Sequence, residues 1–280
     1  MSVLRRPSLA LLSLKVNSLG QKAKRLTLFS SLMEGPWDVI LLQETHHGSE
    51  EQGLQWTREG AGKERPWLGT SFWLEGISAS RGGAVLSKDR PDLAGRADAT
   101  PEAVRQTRRI LRVEFQWMER PFSIVNVYAP SLSAERADFF GIQLLTTIPK
   151  HVGAMVAGNW VSDDLDVTPH ALGRRRTGYL GGLQLVEETY GLPDVSRDQP
   201  PGERAITHVC ASDRSGARFD RWLLSLDVLH VAQQSEIWEG LPGDYLEVTL
   251  RLQAPSDSCR GPHPGRSTCS FWMTAIMPRS

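Results

Sequence analysis

The segment WDVILLQET, residues 37–45, constrains the fold more than any other part of the chain. Val39 to Leu42 form a short, wholly apolar run, the pattern of a strand buried on both faces. The run delivers Gln43 and Glu44 to its C-terminal end, where strand gives way to loop. In α/β proteins that is where metals and catalytic groups are held. Many strands end in an acidic residue, so the segment alone is a weak functional signal. Its weight comes from the ordered company it keeps: LKVNSL upstream, then RGGAVLSK, NVYAP, AGNW, RFDRWLLS and GDY downstream.

The rest of the chain supplies elements to pack against that strand. LALLSLKV predicts a first strand, followed by a turn at Asn17 to Gly20 and a helix carrying Leu26, Phe29, Leu32 and Met33, stopped by Gly35-Pro36. Residues 46–65 are polar and Gly-rich without a period, and read as an exposed loop. RGGAVLSK reads as a short strand. Leu111, Val113, Phe115 and Trp117 alternate with Arg112, Glu114 and Gln116, so 109–128 predicts an antiparallel pair joined near Arg120-Pro121. Ala137, Phe140, Leu144 and Ile148 recur at helical spacing, GAMVAGN is a strand ending in a tight turn, and Gly182 to Tyr190 is a helix closed by Gly191. ARFDRWLLS and DYLEVTLRL are late strands. Strands interleaved with helices and several hairpins favour a layered α/β sandwich over a purely parallel sheet.

Composition narrows the class. A chain of 280 residues can bury a sizeable core. Its 32 basic and 32 acidic residues cancel, so no net-basic footprint for nucleic acid is present. Two arginine clusters remain, Arg105, Arg108, Arg109 and Arg112, and then Arg174, Arg175 and Arg176; each is either a solvated face or a set of phosphate contacts. Cys210, Cys259 and Cys269 are too few and too scattered for a disulfide framework or a zinc site, which points to a reducing compartment. No apolar run reaches the ~20 residues of a membrane span. The expected location is intracellular, nuclear or cytoplasmic rather than secreted, with no membrane association and a monomeric state.

Taken in order, these segments resemble the endonuclease/exonuclease/phosphatase superfamily, and within it the apurinic-type endonuclease domain of LINE-like (non-LTR) retrotransposon polyproteins. NVYAPS followed by a helix, the tryptophan of AGNW, and the run DLDVTPHALGRRRTGYLGGLQLVEETYGL carry the narrower resemblance. It covers residue 9 to about residue 252, and implies a DNase I-like, four-layered αββα sandwich of two mixed β-sheets flanked by helices. It also implies a Mg²⁺-dependent phosphodiesterase acting on DNA, with Mn²⁺ a possible substitute. Residues 1–254 would form this domain and 255–280 an irregular tail. In the family the Glu of the QE motif holds the metal, which matches Glu44, with Asn17 beside it. Tyr128 matches the phosphate-contacting Tyr of NxYxP. Asp220 matches the Asp that orients a catalytic histidine, and Asp244 the Asp of the SDH motif. Among the arginines, Arg174 to Arg176 are the expected substrate contacts. Trp160 either stacks a base or fills the sandwich core.

Four positions depart from the pattern. Lys15 stands where the family has an asparagine, Asn159 where it has the aspartate that positions or deprotonates water, Val161 where it has a second asparagine, and Tyr245 where it has a histidine. An amide cannot accept the water's proton, and valine offers no polar atom. Tyrosine, with a reference pKa near ~10, is a poor stand-in for imidazole. An ammonium beside Glu44 would pair with the carboxylate and compete with a divalent cation. The sequence therefore predicts a degenerate domain with impaired or absent catalysis. Two alternatives are a non-catalytic nucleic-acid-binding remnant and an active site rearranged around Asp163, Asp164 or Asp166. His46 and His47 read as loop histidines, since hard Mg²⁺ prefers oxygen. His208 is the imidazole to test for proximity to Tyr245. Beyond Ala254 the pattern dissolves, reading as a truncated or frame-shifted continuation.

Overall fold

The computed structural model describes residues 7–62, 65–77, 80–150, 153–160, 182–195, 206–209, 216–238 and 246–254. Two sheets form its centre. The first has β1 (Ser8–Lys15), β2 (Val39–Gln43), β3 (Gly69–Ile77), β4 (Ser80–Lys88), β12 (Ala232–Trp238) and β13 (Glu247–Gln253), in the order β12-β13-β1-β2-β4-β3. The second has β5 (Leu93–Asp98), β6 (Ile110–Trp117), β7 (Arg120–Tyr128), β8 (Gly153–Asn159) and β11 (Asp220–Leu224), in the order β11-β8-β7-β6-β5. A two-stranded ribbon, β9 (His208–Val209) with β10 (Gly216–Ala217), pairs with neither. Each large sheet contains one parallel pair, β1 with β2 and β7 with β8, and is antiparallel elsewhere.

The period of two along each strand builds the layers. Leu9 and Leu11 of β1, Val39 and Leu41 of β2, Val113 and Phe115 of β6, Ile124 of β7 and Met155 of β8 point inward and fill the space between the sheets. The intervening residues Leu12, Leu14, Ile40 and Leu42 point the other way, onto α1 (Lys22–Glu34) and α2 (Glu50–Glu59). On the far side, Val125, Val127, Ala154 and Val156 pack against a helical segment and α6 (Gly182–Tyr190). That segment runs from α4 (Ser133–Asp138) through a π-helical stretch (Phe139–Leu144) into α5 (Leu145–Thr147). Three apolar layers between four structural layers make the αββα sandwich that the resemblance implied.

Most expected elements are present. The 109–128 pair turns at Met118 and Glu119, both left-handed, which suits the twist of a two-residue hairpin. The helix at 182–190 ends at left-handed Gly191. The stretch 46–65 is a correction: it holds α2, capped by Ser49, whose hydroxyl accepts from the Gln52 amide. Gly53 concealed it, because a glycine within a helix lowers its propensity. Here the missing Cβ lets the helix lie against Trp73, 2.3 Å from where that atom would be.

Candidate functional site

Both parallel pairs end on the same side of the sandwich, and this brings the expected residues together. Lys15 closes β1 in register with Gln43, and Glu44 follows β2 with a left-handed φ of 56°. In the other sheet Tyr128, Asn159 and Asp220 sit abreast across β7, β8 and β11. Gly158 makes that alignment possible: its φ is 137°, and a Cβ would lie 1.9 Å from the Val127 carbonyl oxygen.

A buried amide pair bolts the sheets together just behind these residues. Gln43 Nε2 donates to Asn126 Oδ1 at 2.7 Å, while Asn126 Nδ2 donates to the Leu42 and Ala84 carbonyls at 2.9 and 3.0 Å. The Asn126 side chain thus reaches into the first sheet and fixes its position, so that Tyr128 Oη donates across the gap to Glu44 Oε1. Gln43 and Asn126 both lie in motifs quoted from the sequence, but neither was given this role. The available signal was a polar residue on the inward face of an otherwise apolar strand, as at Asn126 in SIVNVY.

The second Glu44 oxygen, Oε2, lies 3.1 Å from Lys15 Nζ, with both side chains about nine-tenths buried. Lys15 also stands over the Tyr128 ring at 5.6 Å, and Arg109 over the same ring at 5.4 Å. A further ammonium is close by. Lys24 Nζ donates to the Val16 and Asn17 carbonyls at 2.6 and 2.9 Å, holding the left-handed loop Asn17-Ser18, where the Asn17 side chain is exposed. The His46 pKa reports this field. Burial lowers it first, Glu44 raises it, and Lys15 and Lys24 lower it again.

Asp220 is fully enclosed. Neither carboxylate oxygen has a hydrogen bond of good geometry among the described residues, nor does either polar atom of the Asn159 side chain. Burial pushes the Asp220 carboxyl up to about 7, and the nearby Thr207 hydroxyl, the Lys15 charge and the Asn159 amide offset that only in part. The Thr207 hydroxyl accepts from the Phe219 and Asp220 amides, which places the His208 strand beside Asp220. His208 packs on Phe219 with ring centroids 5.3 Å apart.

Other expectations resolve differently. Trp160 has no exposed surface and stacks on Phe140 at 6.1 Å and 6°, so the packing role is the one its position supports. His47 is buried between Trp56 and Trp73, bonded to the Thr45 hydroxyl, and is part of the core. In the first arginine cluster every guanidinium has a carboxylate: Arg105 with Asp98, Arg108 with Glu75, Arg109 with Glu135, and Arg112 with Glu114. Val161, Asp163, Asp164, Asp166, Arg174, Arg175, Arg176, Asp244, Tyr245 and the tail from 255 lie outside the described residues.

The residues described do not fit a divalent cation. Such an ion needs several oxygen ligands with free lone pairs. Both Glu44 oxygens already accept from donors, one of them cationic. Asn159 brings no charge, and no group of three or more His, Cys, Asp or Glu side chains converges among the described residues.

Two facing mixed sheets between helices, with polar residues gathered where the parallel pairs end, make a DNase I-like fold. Comparison with solved structures places it beside AP endonuclease LMAP from Leishmania major, at a TM-score of 0.69 with 14% identity over 89% of each chain. It also matches the endonuclease domain of TRAS1, a telomere-specific non-LTR retrotransposon, at 0.59 with 13% identity, over 88% of this chain and 99% of that one. In sequence the chain is 27% identical over 256 residues to the Transposon TX1 uncharacterized 149 kDa protein of Xenopus laevis. That match takes in 89% of this chain but only 18% of the length of its relative. No family model matches. No helix among the described residues is long and apolar enough to cross a membrane.

Proposed function

We propose that this chain is a DNA endonuclease-type domain of retrotransposon origin in which Mg²⁺-dependent phosphodiester hydrolysis is impaired or lost. The observation that carries the reading is Asn159. It occupies the strand end between Tyr128 and Asp220, where the resemblance expects the carboxylate that positions or deprotonates the attacking water. An amide orients a water but cannot take its proton. General-base help is typically worth ~10²–10⁴-fold, so its loss removes most turnover even where the remaining groups hold the phosphate. Asp220 supports the same reading. Its family task is to orient a histidine, the residue at that position is Tyr245, and both its oxygens lack a good partner among the described residues.

The ligand on this reading is DNA, and the domain acts as a monomer inside the cell. Purified protein incubated with supercoiled and with abasic plasmid in Mg²⁺ or Mn²⁺ is expected to give no nicking above background. Turnover that Glu44→Ala abolishes would sink the proposal and restore the rearranged-site alternative.

A further inference from the structure

The poor fit between this site and a divalent cation has a specific cause. We propose that the Lys15 ammonium has replaced the metal as the fixed positive charge of the site, so that the cleft binds a phosphodiester backbone without a metal. This rests on the DNA-binding part of the reading above but not on whether catalysis survives.

The argument begins with burial. A lysine side chain that is 10% exposed has given up most of its water, which is unfavourable unless an anion and other polar partners replace it. Lys15 has those replacements. Glu44 Oε2 is 3.1 Å away, and the Tyr128 ring lies beneath it at 5.6 Å. A carboxylate and an aromatic face form the electrostatic shell of a cation. A surface lysine swinging in solvent would leave Glu44 open to a metal; this one is held by the strand register that puts Lys15 opposite Gln43.

The surroundings also oppose re-entry of a divalent ion. Lys24 places its ammonium on the carbonyls of Val16 and Asn17, the two residues that follow Lys15, and holds that turn in place. A divalent ion reaching Glu44 would meet the Lys15 ammonium in a largely buried space, where charge repulsion is weakly screened. A phosphate anion meets the opposite situation. Lys15 and Arg109 flank the same Tyr128 ring at 5.6 and 5.4 Å, Arg109 with its guanidinium also on Glu135, so two cations face the place where the resemblance puts the phosphate.

The test compares the full chain with Lys15→Asn, and with Lys15→Gln as a closer match in size should the asparagine variant not fold. Thermal melting is followed with and without Mn²⁺ or Mg²⁺. Binding to a fluorescein-labelled DNA duplex is followed by anisotropy in EDTA and in Mg²⁺. The wild-type chain is expected to melt at the same temperature with and without metal, and to bind DNA equally in both buffers. The variant is expected to bind about tenfold more weakly in EDTA, the worth of one charged contact, and to recover in Mg²⁺ with a metal-dependent rise in melting temperature. A saturable metal-induced shift in the wild-type chain would overturn the inference. So would wild-type binding that needs Mg²⁺, no DNA binding in either buffer, or a folded variant that responds to metal no more than the wild type. Nicking activity is a separate readout, and its appearance would count against impaired catalysis alone.

Discussion

The two ends of the sandwich treat buried charge in opposite ways. At the end away from the site, Arg90 joins Asp38 and Asp92 at 2.6 and 2.7 Å. Asp38 also accepts from the Ala10 amide, and Asp92 from the Trp117 indole. The Arg90 guanidinium holds Asp92 below the usual carboxylate range. At the site end, Asn17, Ser18, Glu44, His46, Arg81 and Arg108 all adopt left-handed backbone, and Asp220 and Asn159 carry buried polar atoms without good partners among the described residues. Left-handed non-glycine residues cost on the order of 1 kcal/mol or more each. Strain and unmatched polarity are therefore concentrated where ligands would bind, and the matched network stabilises the opposite end.

Three substitutions sharpen or break that contrast. The largest destabilisation is expected from Arg90→Ala, which strands two carboxylates at the well-matched end. Breaking such a pair costs about 3 kcal/mol after allowing for its partial exposure, read by urea denaturation near neutral pH. A loss too small to measure would mean that the far end is not the stabilising one.

Asp220→Asn is expected to do the reverse. The folded carboxyl is raised to about 7 from an ordinary 3.8, so the native state holds its proton more tightly than the unfolded chain. That contribution is present below the ordinary value and is lost as pH rises through about 7. The asparagine variant should match wild type near pH 4 and exceed it by about 4 kcal/mol near pH 8. A variant that is less stable at alkaline pH would show that Asp220 is matched after all.

The smallest effect belongs to His47, whose buried imidazole is lowered to about 4 from 6.5. Here the neutral form is favoured in the folded state, so stability is full above about pH 6.5 and falls as acid drives toward 4. His47→Gln should flatten that acid limb by about 1–2 kcal/mol between pH 7 and pH 5, seen in the pH dependence of the melting temperature. An unchanged limb would leave the far-end carboxylates as its source.

What could be read from the sequence follows from which forces act locally. The strands that carry Lys15, Glu44, Tyr128 and Asn159 are continuous apolar runs, so their ends, and hence the positions of the site residues, were visible. The pairing of Lys15 with Glu44 was expected because the resemblance puts Lys15 beside that carboxylate, and it is present. The helix at Glu50–Glu59 was missed although Ser49, Glu50 and Glu51 mark its start, because Gly53, which packs against Trp73, breaks the local pattern. β3 and β12 went unassigned because GTSFWLEGI and AQQSEIW are edge strands, rich in polar residues as edges should be. Arg109 looked like one member of a basic cluster, yet it alone of the four lies over the Tyr128 ring. Only the packing of β6 beside β7 separates it from its neighbours.

The position of Asn159, locked by Gly158 against the Val127 backbone, has a consequence on the evolutionary scale. Codons for asparagine and aspartate differ in one base, as do those for lysine and asparagine. Neither Lys15 nor Asn159 supports an apolar layer, so a mutation at either leaves the sandwich folded while altering its chemistry. The fold thus shields such changes from selection for stability, and at these two strand ends the asparagine and aspartate that the resemblance expects are a single base away.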